Sequence, residues 1–443
     1  MLFLPETFLL FMALLFFCQS MWKSSADLNQ GLALFLSALL VILSLVSLNA
    51  SGDLFYKAYR VDLFSQTFKG LISLGLFLVV LLGRKIKSIE ERLQPEFFMF
   101  LSLSTLGLML MVSSVELLTI FIAMELSSYS IYVLIPIRNQ PGGNQMEAAI
   151  KYIIFGAAAT GVMLFGMSYI FGVSQSTYLV DILQKMPILI KEPIAVIGLL
   201  MVLCGFFFKL AVVPFHFWTP DIYQGAANET VSFVATMPKL AGLALLLRLV
   251  SLAGSGAVDL IQLAYSSIAH AGYVLLGVLA VNAAGFSAAL FHITAYLLMN
   301  LACFLVICTI SRQGENITIS DLSGLYKRSP LLAFTLAVGA FALAGIPPTA
   351  GFTGKLYLFI AALDQGHLAL VIIAAVNTAI SIYYYLNIVR SAYGQDPNGS
   401  PAVTLSFSNR LLNFGLILAI LLMGTLPAWF INLARTACKT LVS

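Results

Sequence analysis

Four ionisable side chains lie inside apolar runs of the sequence, where charged residues are rare. Glu125 lies within VELLTIFIAMELSSYSIYVL, Lys209 follows CGFFF, Lys239 follows a proline, and Lys355 follows a Pro–Pro pair by a few residues. On membrane-insertion scales, one such charge at the bilayer centre costs about 2.5–3.5 kcal/mol. Neighbouring carboxylates and amines change each other's affinity for protons. These four residues therefore predict a proton relay inside the membrane.

Lys209 is the predicted partner of Glu125, because a lone buried carboxylate would instead become protonated. Pro214 follows five residues later and has no N–H to bond the carbonyl of Leu210. We expect the helix to break there and to leave a polar carbonyl and room for water beside the ammonium. The same arrangement, a lysine beside a proline that interrupts its helix, is predicted at Lys239 and Lys355. A buried ion pair that only fixes helix packing is the alternative.

Three further residues complete the predicted relay. His270 and His292 are interpreted as intermediate stops, because imidazole titrates near neutral pH. Satisfied core histidines are the alternative for both. Lys151 lies about a turn inside its span with Glu147 four residues before it, which is also the pattern of an ordinary helical ion pair.

Two charges near span ends are assigned ordinary roles. Arg248 is expected to extend its charged head to the membrane interface, so that its removal would matter little. Glu116, near the start of its span, is expected either to meet the headgroups and the positive end of the helix dipole or to take part in the function.

The elements that must position these residues follow from composition. Of 443 residues, 60% are hydrophobic and 9% are charged, and the apolar runs are about 20 residues long, the length of a membrane-spanning helix. Unpaired backbone groups are not tolerated in lipid, so the continuous runs predict an all-α polytopic membrane protein of about 13–14 transmembrane helices. The predicted spans are 2–21, 30–49, 67–83, 96–114, 115–136, 147–172, 193–224, 230–252, 263–281, 286–311, 330–362, 367–390 and 409–432.

The first apolar run, the cysteines and the net charge argue against a signal peptide, a cysteine-bound cluster or disulfide, and a nucleic-acid-binding surface. The first run carries Glu6 and lacks a basic leader, so it is predicted to be a span rather than a signal peptide. The five cysteines lack CxxC spacing, which argues against clusters and disulfides. A formal charge of +4 spread over short loops forms no nucleic-acid patch.

Two spans look interrupted by proline and glycine, near 193–224 and 330–362. Paired broken helices are typical of inverted repeats with a site at the bilayer midplane. We therefore predict a single integral-membrane domain with two inverted five-helix repeats. Its predicted parts are N-terminal helices (1–95), a first repeat (96–252), a second repeat (253–390) and a C-terminal helix (391–443).

Basic loop residues indicate that one span is missing from this division. The cluster in RKIKSIEERLQP (84–95) predicts a cytoplasmic loop and an external N-terminus. The basic residues after the tenth and twelfth spans fall on the opposite side in this count. One more crossing between them would restore the rule, and 248–273 is the place where one span follows another almost at once. The second repeat is thus predicted to be one helix short.

Five ordered motifs identify a family. MEAAIKYIIFGAAATGVMLFGMSYIFG, FKLAVVPFHFWTPDIYQGA, MPKLAG, AYSSIAHAGYVLLG and AGIPPTAGFTGKLYLF together resemble subunit N of the proton-pumping NADH:quinone oxidoreductase, respiratory complex I. The resemblance runs over nearly the whole chain. It implies 14 helices and two inverted five-helix repeats. It also implies a hydrated mid-membrane relay whose members here are Glu125, Lys151, Lys209, Lys239, His270 and Lys355, with His292 where the family commonly has tyrosine.

The resemblance implies a translocase subunit without a redox centre or cofactor of its own. NADH, FMN, iron–sulfur clusters and quinone are then expected in partner subunits, and its direct partners are other membrane-arm subunits and the lipid bilayer. The expected location is a bacterial inner membrane, with the mitochondrial inner membrane or the thylakoid as alternatives. A subunit of a multi-subunit cation/proton antiporter or of a membrane-bound hydrogenase is the alternative function.

Two departures from the family pattern stand out. The helix that usually precedes AYSSI is absent either from this chain or only from the division into spans given above, at the place that the basic loops had indicated. After DIYQGA the family typically has PTPV, whereas ANETV stands here and introduces Asn228 and Glu229.

Overall fold

The computed structural model describes residues 2–22, 25–83, 86, 88–139, 143–189, 191–212, 215–253, 269–311, 317–394 and 402–442. Most of these residues are helical, as expected where the backbone must satisfy its own hydrogen bonds. The helices are α1 Leu4–Ser20, α2 Ala26–Val46, α3 Leu63–Leu82, α4 Gln94–Ser113, α5 Leu117–Leu134, α6 Asn144–Ser174, α7 Leu179–Gln184, α8 Met186–Leu189, α9 Pro193–Leu210, α10 Trp218–Gly225, α11 Asn228–Ala253, α12 Ala269–Leu279, α13 Ala283–Ile310, α14 Leu325–Arg328, α15 Pro330–Ala344, α16 Ala350–Asp364, α17 Leu368–Gly394, α18 Phe407–Thr425 and α19 Ala428–Val442.

Within these described ranges, ten helices are long and apolar enough to cross a membrane. Leu4–Ser20 and Pro330–Ala344 are shorter apolar helices. This confirms the all-α polytopic class. The final predicted span, 409–432, is in fact two helices, because the chain leaves helical geometry at Leu426 and α19 begins after Pro427.

Both predicted interruptions are present. The first broken span consists of α9 and α10, and α9 ends at Leu210 because Ala211 adopts a left-handed conformation with φ of 56°. Pro214, to which the sequence assigned the break, lies outside the described residues. The second consists of α15 and α16, and Gly345, with φ of 85°, ends the first half. Glycine suits this position because it has no Cβ to clash.

One connector carries a short β-hairpin. Strands β1 (Gly52–Leu54) and β2 (Tyr59–Val61) pair antiparallel, with Asp53 opposite Arg60. Asp62 follows at once and caps α3, since its carboxylate accepts a 2.7 Å hydrogen bond from the Ser65 amide. The hairpin therefore fixes how the chain enters α3.

The chain divides into two compact units, Met1–Ser267 with Lys439–Ser443, and Ile268–Cys438. In the first unit α4 packs on α1 and α5, and α6 packs on α9. In the second unit α13 packs on α15 and α16. The extra helix expected near 248–273 falls largely on residues 254–268, which lie outside the described residues.

Candidate functional site

A close approach between α4 and α5 lies beside Glu125. Gly107 of α4 lies so near α5 that a Cβ there would be 2.6 Å from the Ser127 nitrogen and 2.7 Å from the Ala123 oxygen. Only glycine allows the two backbones to approach this closely. At the start of α5, Glu116 accepts a 2.7 Å hydrogen bond from the Thr119 amide, so it acts as a helix cap. The contact and the cap together fix the rotation of α5.

Glu125 lies near the middle of α5 and is buried, with 7% of its surface exposed. Its carboxylate lies beside the side chains of Tyr129 and Thr160. Its Oε1 atom has no hydrogen-bond partner among the described protein groups. Buried polar atoms of this kind are normally satisfied by ordered water. The surroundings of Glu125 therefore suit a hydrated carboxylate.

Lys209 is the penultimate residue of α9, and its ammonium is buried. The Nζ atom donates to the hydroxyls of Ser127, at 3.2 Å, and Ser128, at 3.1 Å. It forms no salt bridge within the described part of the chain, although Glu125 interacts with it electrostatically. The predicted partners therefore share one site, and the direct contacts of the ammonium are the serine hydroxyls.

The hydroxyl contacts continue into α4. Ser104 lies 3.1 Å from Ser127, hydroxyl to hydroxyl, so a chain of polar groups links α4, α5 and α9. Sequence reasoning missed these serines. The available signal was the run ELSSYS, which places two hydroxyls within one helical turn of Glu125.

Aromatic residues close the end of α9. The Trp218 indole of α10 donates to the Phe208 carbonyl at 3.2 Å, which satisfies a group at the helix end. Tyr152 of α6 packs against Trp218 at 4.9 Å and against Tyr132 at 5.2 Å between ring centroids. These rings hold the half-helix α10 against the position of Lys209.

Lys239 lies near the middle of α11, directly after Pro238, and is half-buried. One turn later, a Cβ on Gly242 would lie 3.0 Å from Leu210. Since Leu210 is the last residue of α9, this contact brings α11 to the end of that helix. Lys239 is therefore within a turn of the contact with the helix that carries Lys209.

Lys151 does not join this cluster. It forms salt bridges with Glu147 at 2.8 Å and Asp221 at 3.1 Å, and 38% of its side chain is exposed. A polar cavity of about 220 Å³ lies beside it, lined in part by Asn144. Thr160 of the same helix lies beside Glu125. Lys151 precedes Thr160 by nine residues, or about 13 Å of helix, and this distance is close to half the thickness of a bilayer core. Its level is thus near the membrane boundary.

The second unit contains its own buried lysine. Lys355 of α16 donates to the carbonyls of Leu343 and Ala344, both at 3.1 Å, at the end of α15. Its Nζ also lies 4.7 Å from the ring centroid of Tyr273. His292 is fully buried in α13, and a Cβ on Gly354 would come within 2.8 Å of its Nδ1. Lys355 and His292 interact electrostatically.

His270 belongs to α12, but its side chain lies outside the described residues.

The role assigned to Arg248 is wrong. Arg248 is 2% exposed and binds Asp62 with two contacts of 2.9 and 3.0 Å, so it does not extend to the interface. The Glu229 carboxylate, a departure from the family motif, accepts a 2.9 Å hydrogen bond from Ser88.

Comparison with known proteins gives consistent likenesses. The family model for NADH:quinone oxidoreductase/Mrp antiporter transmembrane proteins matches residues 114–261 and 259–381. NADH-quinone oxidoreductase subunit N 2 of Opitutus terrae is 45% identical over 468 aligned positions, which cover 99% of this chain and 98% of the relative. A chain of respiratory complex I from Thermus thermophilus is 29% identical with a TM-score of 0.80, covering 97% of this chain and 99% of that one. A chain of the Mrp complex from Dietzia sp. DQ12-45-1b, 20% identical over 99% and 98% of the two chains, shares the fold with a TM-score of 0.80.

Proposed function

Because the chain belongs to the subunit N family of the NADH-quinone oxidoreductases, we propose that it moves protons across the membrane through its buried acid–base groups. It is an antiporter-like membrane-arm subunit of complex I and works with other membrane-arm subunits. The single observation that carries the proposal is the Lys209 ammonium, buried at the broken end of α9 and held by two hydroxyls beside Glu125. An ammonium at that depth needs a reason beyond packing.

The serine contacts explain how the proton leaves Lys209. A protonated Lys209 donates to Ser127 and Ser128. When the ammonium passes a proton to a serine oxygen, that serine releases its own proton toward Glu125 or water, and the neutral amine then accepts a hydrogen bond. No atom moves far, because a hydroxyl is both donor and acceptor.

The charge of Glu125 controls the protonation of Lys209. Two unit charges 4 Å apart interact by about 4 kcal/mol at an effective dielectric constant of 20, and by about 2 kcal/mol at twice that separation. Since about 1.4 kcal/mol changes a protonation equilibrium tenfold, protonation of Glu125 would release the proton of Lys209. The charge state of one group thereby drives the other.

The remaining relay members extend this proposal. Lys239, on the helix that reaches the end of α9, is the next acceptor in the first unit. Lys355 with His292 would form the corresponding group of the second unit, and His270 would belong with them. Lys151 is the entry or exit group near the membrane boundary, where it would exchange protons with the Glu147 and Asp221 carboxylates that it contacts.

Redox chemistry is proposed to lie elsewhere in the complex. The relatives are subunits of an NADH-quinone oxidoreductase, so NADH, FMN, iron–sulfur clusters and quinone would bind partner subunits, and this chain would have no redox centre. The bacterial relatives support a bacterial inner membrane as the location. The likeness to the Mrp complex, at 20% identity, concerns the fold and does not favour cation antiport.

The experiment replaces Lys209 by arginine and by methionine in the whole complex. Arginine keeps a positive charge but does not deprotonate. We expect both variants to assemble and to lower proton-coupled quinone reduction to about half of the native rate or less, since positioned acid–base groups contribute larger factors than this. Proton uptake into sealed vesicles and quinone reduction are measured on the same preparation.

Lys191→Arg and Lys191→Met are the matched controls, because Lys191 is exposed and stands two residues before α9. Both should behave as the native complex. Native proton uptake per quinone reduced, at the native rate, in assembled Lys209→Arg would remove the proposal.

A further inference from the structure

We propose that Glu6, Tyr59 and Lys69 form a second proton-transfer site, which connects the relay of this chain with the aqueous phase on the side of its N-terminus. We call these three residues the N-terminal acid–base cluster. The inference rests on the proposed function and adds a route to it.

The geometry of the cluster is that of a preformed proton-transfer pair. The Lys69 ammonium of α3 lies 2.7 Å from Glu6 Oε1 of α1, and both side chains are fully buried. The Tyr59 hydroxyl, from β2, donates to the same carboxylate oxygen at 2.7 Å. The ammonium also lies 5.0 Å from the Tyr59 ring centroid. An acid, a base and a hydroxyl thus share one oxygen atom inside the helix bundle.

Unpartnered polar atoms surround the cluster. Glu6 Oε2 has no hydrogen-bond partner among the described protein groups, and neither amide atom of Gln66 has one. Gln66 is fully buried one turn before Lys69, on the same face of α3. Buried polar atoms in this condition are normally satisfied by ordered water. Water beside an acid–base pair is what proton transfer requires.

A second ion pair flanks the cluster and stays charged. Arg248 of α11 binds Asp62 through two contacts, and both residues interact electrostatically with Lys69. Asp62 precedes α3; burial acts to raise its pKa, but the Arg248 guanidinium and hydrogen bonds from Ser65 hold the pKa below its usual range. Arginine does not deprotonate either. The flanking pair therefore fixes the local field and exchanges no proton.

The position of the N-terminal acid–base cluster in the first unit places it on a proton route between Lys239 and the aqueous phase. Lys239 and Arg248 are both on α11, nine residues or about 13 Å apart. Arg248 meets Asp62 directly after the hairpin, whose Arg60 and Asp53 are exposed at 37% and 35%. Within this unit the cluster therefore lies between the level of Lys239 and the exposed hairpin. A proton moving between Lys239 and that aqueous side meets acid–base groups there.

The transfer step balances without any further reactant. Lys69 passes one proton to the Glu6 carboxylate, which gives a neutral amine and a carboxylic acid. A hydrated proton on one side then protonates Lys69, and Glu6 releases its proton to water on the other side. One proton has crossed and both groups have returned to their starting states.

Lys69→Arg separates this role from a structural one. Arginine preserves the positive partner of Glu6 but does not give up a proton. We expect the variant complex to assemble and its proton-coupled quinone reduction to fall to about half of the native rate or less. Lys57→Arg, a change at an exposed lysine of the same hairpin, should leave the rate unchanged. An assembled Lys69→Arg complex with native coupling would overturn the inference.

A measurement on the native complex avoids any dependence on variant assembly. An apolar carbodiimide reacts with a buried carboxyl group when that group is protonated and converts it to an N-acylurea. Complex treated during turnover should carry this adduct on Glu6, detected by peptide mass spectrometry. Glu6 that stays unmodified during turnover contradicts the transfer step, because a permanent ion pair leaves the carboxylate ionised.

Lys209→Arg, assayed in parallel, separates the two proposals. If Lys209→Arg loses coupling and Lys69→Arg does not, the relay stands and the second site fails. If neither variant loses coupling, the proposed function itself fails.

Discussion

The contact between Gly107 and α5 makes a small substitution informative. In Gly107→Ala the new Cβ would lie 2.6 Å from the Ser127 nitrogen, where ordinary contacts begin at 3.4 Å. The helices must therefore separate by about 0.8 Å, the difference between these distances, because the neighbouring atoms are backbone and cannot rotate away. Overpacking of this kind costs about 1–3 kcal/mol.

The same displacement reaches the site. Ser127 is the residue that is pushed, and its hydroxyl lies 3.2 Å from the Lys209 ammonium. A displacement of about 0.8 Å is about a quarter of that contact distance, so the hydrogen bond between Ser127 and the ammonium loses its geometry whether the displacement lengthens or compresses it. We expect assembled Gly107→Ala to lower both the thermal stability of the complex and its proton-coupled quinone reduction, the latter severalfold.

The assay compares coupled quinone reduction and thermal unfolding in purified complex. Gly172→Ala is the control, because no described atom beyond the surrounding backbone of α6 lies within 4 Å of a Cβ position at that glycine. Alanine there should be neutral or slightly stabilising, since it favours a helix by about 1 kcal/mol over glycine. A Gly107→Ala complex with native stability and native coupling would refute the claim that this contact sets the site.

Three further substitutions test individual contacts. Arg248→Ala should destabilise the subunit by about 3 kcal/mol, measured by thermal unfolding, because it leaves the largely buried carboxylate of Asp62 without its partner. Ser128→Ala should slow coupled turnover by weakening a charged hydrogen bond worth about 1.5–3 kcal/mol, whereas Ser130→Ala, whose hydroxyl donates to the Leu126 carbonyl of the same helix, should not. Lys151→Gln should change thermal stability by about 1 kcal/mol or less, because its ion pairs are partly exposed.

The elements were predictable from sequence because lipid imposes a simple rule. Continuous apolar runs of helical length have no other fold that satisfies the backbone. The breaks near 193–224 and 330–362 followed from proline and glycine in those runs. Charges inside the runs marked Glu125 and Lys209 for the same reason, since few residues are tolerated there without a role.

Side-chain partners were not predictable, because they depend on how helices face one another. The sequence favoured a carboxylate as the partner of Lys209, while the structure gives serine hydroxyls. Arg248 was assigned to the interface by its distance along the helix, but its partner Asp62 is 186 residues away in the chain. Lys69 was overlooked because it stands near a span end, a position typical of interfacial lysines.

The expected shortfall of one helix before AYSSI, by deletion or by omission from the predicted spans, remains a prediction, and the alignment bears on it. The Opitutus relative aligns over 468 positions, whereas this chain has 443 residues, so the relative carries residues without a counterpart here. A membrane helix needs about 20 residues. A deletion of one span would account for a difference of this size.

Lys209 and Lys355 share a feature that was absent from the prediction of a carboxylate partner: both ammonium groups lie at the end of a helix. Lys209 occupies the last turn of α9, and Lys355 reaches back to the last carbonyls of α15. In each unit, therefore, the cation lies at the C-terminal end of an interrupted helix, where the helix dipole favours positive charge. The ammonium is stabilised by neutral groups and needs no permanent salt bridge. A nearby acid such as Glu125 can then change the protonation of the lysine without also having to hold the ammonium in position. The groups that position the lysine are therefore different from the group that controls its protonation.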